Sequence, residues 1–198
     1  MPITFSKELE ILPIVNASAE KYNVPPALIL GHIKQESAFN QKAYRAEPSI
    51  GDASIGLMQV LLGTAHEFSP NATEADMYDP AFNIDVGTAY IAKNLNRYNG
   101  NVLDAIAAYN AGTARKNSDG KYVNSQGVTN VQSYVDKVSA NYKNYSDWIA
   151  SGANDVDVGA TLADMGSTIT TNVDTPLAVM IGVLSLGMVV FAWQKAKQ

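Results

Sequence analysis

The sequence predicts a mainly α-helical domain, followed by a polar linker and one apolar C-terminal helix. Three observations predict this. Apolar residues recur at steps of three and four through residues 1–148. Residues 149–175 are small and polar. Residues 176–193 are 18 consecutive residues without a charge.

The helices follow in chain order. Leu12, Val15, Ala19 and Tyr22 share one face of a first helix. Pro25 and Pro26 can occupy the first turn of a second, where no amide donor is lost, and NVPPALILGHIKQES continues from them. Ile84, Gly87, Ile91, Leu95 and Tyr98 mark a third with the same period, and Val131, Val135, Val138 and Tyr142 a last one. Between these two, VLDAIAAYNAG forms a shorter helix with Gly112 as its stop. No segment alternates convincingly with period two, so the region reads as mostly α.

Residues 149–175 carry four aspartates and no base, which suits a flexible linker; a docked helix through Val158, Leu162 and Met165 is the alternative. Residues 176–194 are expected to be a transmembrane helix in a lipid membrane. At ~1.5 Å per residue the uncharged run reaches roughly 27 Å, close to the thickness of a hydrocarbon core. Trp193 suits the interface, and Lys195 and Lys197, in a short basic tail of residues 195–198, suit the cytoplasmic side. A buried helix of the domain is the competing reading. The start, MPITFSKELEI, lacks the basic and apolar pattern of a signal peptide.

Composition narrows the chemistry. The chain has 198 residues, 46% of them hydrophobic, enough for one domain with its own core. It contains no cysteine, which excludes disulfides, thiolate metal sites and catalytic thiols. Only two histidines, His32 and His66, are present, without an HExxH pattern, so no metal and no cofactor is expected. A net charge of −5 and the lack of a basic cluster speak against nucleic acid as a partner.

The candidate chemistry begins at HIKQESAFN, where Glu36 and Ser37 end a largely apolar helix with no second carboxylate beside them. GDASIGLMQV adds Met58 and Gln59, with glycines that permit tight backbone, and AAYNAG adds Tyr109 and Asn110. A carboxylic acid, amides and phenols, without a cationic clamp, suit a neutral ligand rich in hydroxyls and acetamides, that is, a sugar. Asp52 reads either as an ordinary turn aspartate or as a group that positions water. His32 lies one turn before Glu36 and reads as a satisfied or solvated histidine, or as a border of the cleft.

HIKQESAFNQKA, SIGLMQVLLGTA, YDPAFNIDVGTAYI, AAYNAG and QSYVDKVSANYKNY, in this order, resemble the successive motifs of the soluble-lytic-transglycosylase type of peptidoglycan-cleaving enzyme. The resemblance covers about residues 8–146 and implies a lysozyme-like fold. It implies that Glu36 is the catalytic acid and that Ser37 supports it. Met58, Gln59 and Asn110 would line the glycan groove, Tyr109 would hydrogen-bond the acid, and Tyr134 would border the cleft from the closing helix. Two departures stand out. Ser54 and Ile55 precede GLMQ where the family often has alanine and glycine, and VLLGTA stands where VMPGTA is usual.

One glutamate can suffice when the substrate supplies the second nucleophile through its 2-acetamido group. Glu36 would then need a carboxyl raised by burial, for which Leu28, Ile29, Ile33, Leu57 and Met58 can provide apolar surroundings. The implied activity is cleavage of peptidoglycan with formation of a 1,6-anhydro ring. A muramidase in which Asp52 delivers water and a non-catalytic glycan-binding membrane protein are the competing readings. A C-terminal anchor without an export signal fits a phage virion membrane protein, with the bacterial inner membrane and a secretion apparatus as the alternative.

Overall fold

The computed structural model describes residues 6–152. The chain divides into a compact unit, Met1–Val156, and a second unit, Asp157–Gln198, which lies outside the described residues. The described part holds α1 (Ser6–Tyr22), α2 (Pro26–Ser37), three short strands β1 (Tyr44–Glu47), β2 (Asp52–Ile55) and β3 (Val60–Leu61), then α3 (Leu62–Ala65). A single 3-10 turn at Asp76–Tyr78 leads into α4 (Pro80–Arg97), α5 (Val102–Ala111) and α6 (Asn130–Ala150).

The helix α2 is the axis of the core. Leu28, Ile29, Leu30 and Ile33 are wholly shielded from solvent, and His32 nearly so. A helix apolar on all sides must be wrapped by others, and α2 packs chiefly against α6 and also against α1. Its start fits the sequence reading: Pro26 takes the first helical position, where its missing N–H costs nothing. Its end lies directly after the candidate acid, because Ala38 and Phe39 both adopt left-handed backbone. Two such residues cost of order 1 kcal/mol or more each. Burial of the Phe39 ring, edge-on to Tyr145 of α6 with centroids 6.3 Å apart, offsets that strain.

The periodic residues of the other helices face inward as expected, Leu12, Val15 and Ala19 on α1 and Val131, Val135 and Val138 on α6. Asp79 caps α4 by accepting the Phe82 N–H at 2.8 Å, and Gly112 ends α5 with φ of 72°.

The domain is mainly helical as expected, and it also holds an antiparallel sheet in the order β1-β2-β3 that the sequence reading does not single out. Its strands are two to four residues long and β1 is largely exposed, so no buried alternation could betray them. The fold class is corrected in its C-terminal part. Among the described residues no helix is long and apolar enough to cross a membrane. The stretch 176–194 that carried this expectation, and nearly all of the 149–175 linker, lie outside the described residues.

Two glycines let the loop between β2 and β3 sit against α4. Gly56 has φ of 79°, and a Cβ there would fall on the Asn83 side chain and the Met77 carbonyl. Gly87 leaves the space that the Met58 thioether fills. Gly-to-Ala changes inside helices usually stabilise by about 0.5–1 kcal/mol. At Gly87 the opposite sign is expected. Gly87→Ala drives a methyl into Met58 and should cost roughly 1–3 kcal/mol, read as a lower denaturant midpoint at unchanged slope.

Candidate active site

One side chain fixes the loop that carries Met58 and Gln59. Asn83, buried on α4, accepts the Met58 N–H at 2.8 Å and donates to the carbonyls of Ile55 and Met77 at 2.9 Å each. Three bonds from one amide satisfy backbone groups that the turn itself leaves unpaired. Gln59, with φ of 46°, adds a second tie: its Nε2 donates to the carbonyls of Ala43 and Gly56.

Against this loop stands the last turn of α2. The Tyr134 hydroxyl, from α6, donates to Glu36 Oε1 at 2.5 Å, and the Tyr134 oxygen lies 3.1 Å from His32 Nδ1. The Tyr109 ring, from α5, leans on the His32 imidazole with centroids 4.4 Å apart and donates its hydroxyl to the Met58 carbonyl at 2.9 Å. Loss of water raises the Glu36 carboxyl to about 7, while the Tyr134 donor and the Arg45 guanidinium pull the other way to a lesser extent. Burial lowers His32 to about 3, so its imidazole is neutral at physiological pH. Burial, with Glu36 close by, holds Tyr134 and Tyr109 well above the ordinary phenol range. Tyr134 therefore stays a donor.

An open groove runs past this acid. One cavity of about 250 Å³ is lined by Glu36, Arg45, Glu47, Ser54, Gln59 and Tyr109, among others. A second, of about 350 Å³, shares Gln59, Leu61, Tyr109 and Asn110 with it and continues to Thr64 and Tyr90. The sheet forms one wall. Arg45 and Glu47 are two apart on β1, Arg45 pairs with Ser54 of β2, and Ser54 pairs with Leu61 of β3, so all four share a face. Arg45 Nε donates to Glu47 Oε1 at 2.7 Å, and the Ser54 hydroxyl donates to the same oxygen at 3.2 Å.

The candidate residues divide into two groups. Glu36, Gln59, Tyr109 and Asn110 come together at the groove. Tyr109 and Tyr134 exchange the roles expected of them, since Tyr134 holds the acid and Tyr109 holds the loop. Met58 is wholly buried and contributes its backbone carbonyl, not a groove surface. Ser37 turns back to the Ile33 carbonyl at 3.4 Å and makes no contact with the Glu36 carboxyl. Asp52 accepts the N–H groups of Ala53, Leu62 and Gly63, which occupies both of its oxygens. That explains the missing proline of VLLGTA: Leu62 keeps an N–H that Asp52 uses. Arg45 and Glu47 were not legible as site residues, because their placement depends on the sheet. Among the described residues no group of three or more histidines and acids is placed to hold a metal ion.

The raised carboxyl has a price in stability. Folded Glu36 keeps its proton up to about 7, whereas an ordinary glutamate loses it near 4.5. Between these values the folded state binds more protons than the unfolded one, so stability falls as pH rises. Glu36→Gln should match the wild type near pH 4 and exceed it by about 2–3 kcal/mol near pH 8, read from urea unfolding at each pH.

The comparisons agree with this geometry. The family model for the transglycosylase SLT domain matches residues 13–132. Over 115 residues the chain is 38% identical to the membrane-bound lytic murein transglycosylase C of Yersinia enterocolitica, covering 51% of this chain and 31% of that protein. Over 103 residues it is 37% identical to a transglycosylase of Enterobacteria phage PRD1, covering 52% and 35%. The chain thus spans about a third of the length of these curated relatives. An inactive mutant of the lytic transglycosylase Slt from Pseudomonas aeruginosa superposes with a TM-score of 0.59 at 25% identity, covering 70% of this chain and 24% of that one. The 70 kDa soluble lytic transglycosylase of Escherichia coli gives 0.58 at 25%, covering 69% and 24%. With the family model spanning more than half of its residues, the chain belongs to the transglycosylase SLT family.

Proposed function

We propose that this protein is a peptidoglycan lytic transglycosylase, cutting the β-1,4 bond between N-acetylmuramic acid and N-acetylglucosamine. One observation carries the reading: a carboxyl that keeps its proton up to about 7 lines an open groove walled by amides and hydroxyls. A general acid works best when its pKa lies near the working pH. The bacterial relative's name, lytic murein transglycosylase, supports the same substrate, and the phage relative's name, transglycosylase, the same reaction.

The steps balance without water. Glu36 gives its proton to the glycosidic oxygen as the bond to the anomeric carbon breaks. The acetamide carbonyl of the muramic acid captures that carbon, which makes a second protein carboxylate unnecessary. Glu36, now a base, removes the proton of the sugar's own 6-hydroxyl, whose oxygen displaces the acetamide and closes the anhydro ring. Glu36 ends protonated, as it began. Gln59, through its side-chain carbonyl, and Asn110 line the groove and would hydrogen-bond the sugars, while Tyr134 steadies the carboxylate between its two roles.

Digestion of purified sacculi by the full chain should release 1,6-anhydro-muropeptides, identified by mass. Glu36→Gln should lower the rate by about 10²–10⁴-fold, the range of general acid–base assistance. Asp52→Ala should keep the anhydro product and lose about 1 kcal/mol of stability, since that carboxylate serves backbone N–H groups. Reducing ends in place of anhydro ends would overturn the scheme and make Glu47, the other acid lining that cavity, the candidate second carboxylate.

The phage relative supports a virion-carried enzyme that opens the wall locally. On that reading the protein should be detected in purified virions free of cell wall, and its absence there points to a cellular enzyme.

A further inference from the structure

His32 is a buried polar group beside the acid that the reaction scheme leaves unused. It is 1% exposed, lies one helical turn before Glu36, and its Nδ1 stands 3.1 Å from the Tyr134 oxygen. A phenol has one proton, and Tyr134 commits that proton to Glu36 Oε1. The histidine contact must then run the other way, from Nδ1–H to the phenol oxygen. In the opposite tautomer the Nδ1 lone pair would face the Tyr134 oxygen at 3.1 Å with no proton between them, since that hydroxyl's proton is already given to Glu36.

The imidazole is also held in place. The Tyr109 ring lies 4.4 Å from it, and the Tyr109 hydroxyl is anchored to the Met58 carbonyl. Its neutrality at physiological pH keeps it from titrating alongside the acid. It is a fixed donor.

We infer that His32 is a positioning residue, acting through Tyr134 to keep the acid's own proton on Oε2 of Glu36. With Nδ1–H pointed at its oxygen, Tyr134 cannot turn its proton toward the histidine and accept one from Glu36 Oε1. Oε1 is therefore always the acceptor of Tyr134, and the transferable proton resides on Oε2, which has no partner among the described residues. After transfer, the aligned N–H, O–H and carboxylate polarise one another and stabilise the anion. The inference rests on Glu36 being the acid of the proposed function. The groups facing that carboxyl are Tyr134 of α6, Arg45 and Glu47 of β1, Tyr109 of α5 and His32 itself.

The test is a carbon-13 titration of the Glu36 carboxyl in the full chain as wild type, His32→Leu and His32→Asn. Leucine removes the donor, which weakens the anion and frees Tyr134 to accept, so the Glu36 pKa should rise by about one unit. Asparagine carries an N–H two bonds from Cβ, where Nδ1 stands, and should return the pKa to the wild-type value. On sacculi, kcat of His32→Leu should fall about tenfold with KM unchanged within about twofold. An unshifted Glu36 in His32→Leu, or equal shifts in both variants, overturns the inference. Nitrogen-15 shifts of the wild-type imidazole give an answer that needs no variant to fold: protonated Nδ1 supports the inference, and protonated Nε2 overturns it. Failure to cut sacculi would sink the proposed function, while the titration and the nitrogen shifts still report the wiring.

Discussion

A carboxyl withdrawn from water, yet given one strong donor, is the constraint around which the domain is arranged. Glu36 stands where α2 meets α6. Had the helix continued, the acid would lie in mid-helix; instead the two left-handed residues, Ala38 and Phe39, turn the chain away immediately. The apolar body of α2 supplies the low polarity, and Tyr134 prevents that low polarity from expelling the charge altogether. Without such a donor, a buried carboxylate would be costly in its charged state. With too many donors, it would give up its proton at ordinary acid pH. One phenol, opposed by burial, lies between these extremes.

The groove is built from two kinds of structure. Its acid side rests on long helices packed through the core. Its other side is a three-stranded sheet whose first strand is mostly exposed. The two are joined by Asn83, which ties the β2–β3 loop to α4. The sheet face adds a guanidinium and a second carboxylate to a site otherwise made of neutral groups. Arg45 and Glu47 largely satisfy each other, so the groove gains polarity with little net charge.

The helices were legible because each carries enough turns for a period of three to four to repeat, and the burial of Leu12, Val15, Val131, Val135 and Val138 follows that period. The sheet was illegible for the complementary reason, since a four-residue strand with an exposed face repeats nothing. That Glu36, Gln59, Tyr109 and Asn110 share one groove was anticipated through the order of their motifs. What motif order could not supply was direction. Whether Tyr109 or Tyr134 reaches the acid, whether Met58 shows its side chain or its carbonyl, and whether Asp52 faces the groove or the backbone all depend on helix rotation and strand register. His32 illustrates the same limit: a histidine one turn from a glutamate is ambiguous until α6 brings Tyr134 between them.

The clamp made by Asn83 has an evolutionary corollary. Because the loop beneath the groove is anchored from α4, the tip of the β1–β2 hairpin bears none of that duty, and Ile50 there is 63% exposed while still reaching the cavity. Changes in the length or chemistry of that tip can therefore reshape one lining of the cavity without touching the Glu36–Tyr134 pair. On the proposed function, that leaves glycan selectivity free to vary while the acid stays as it is.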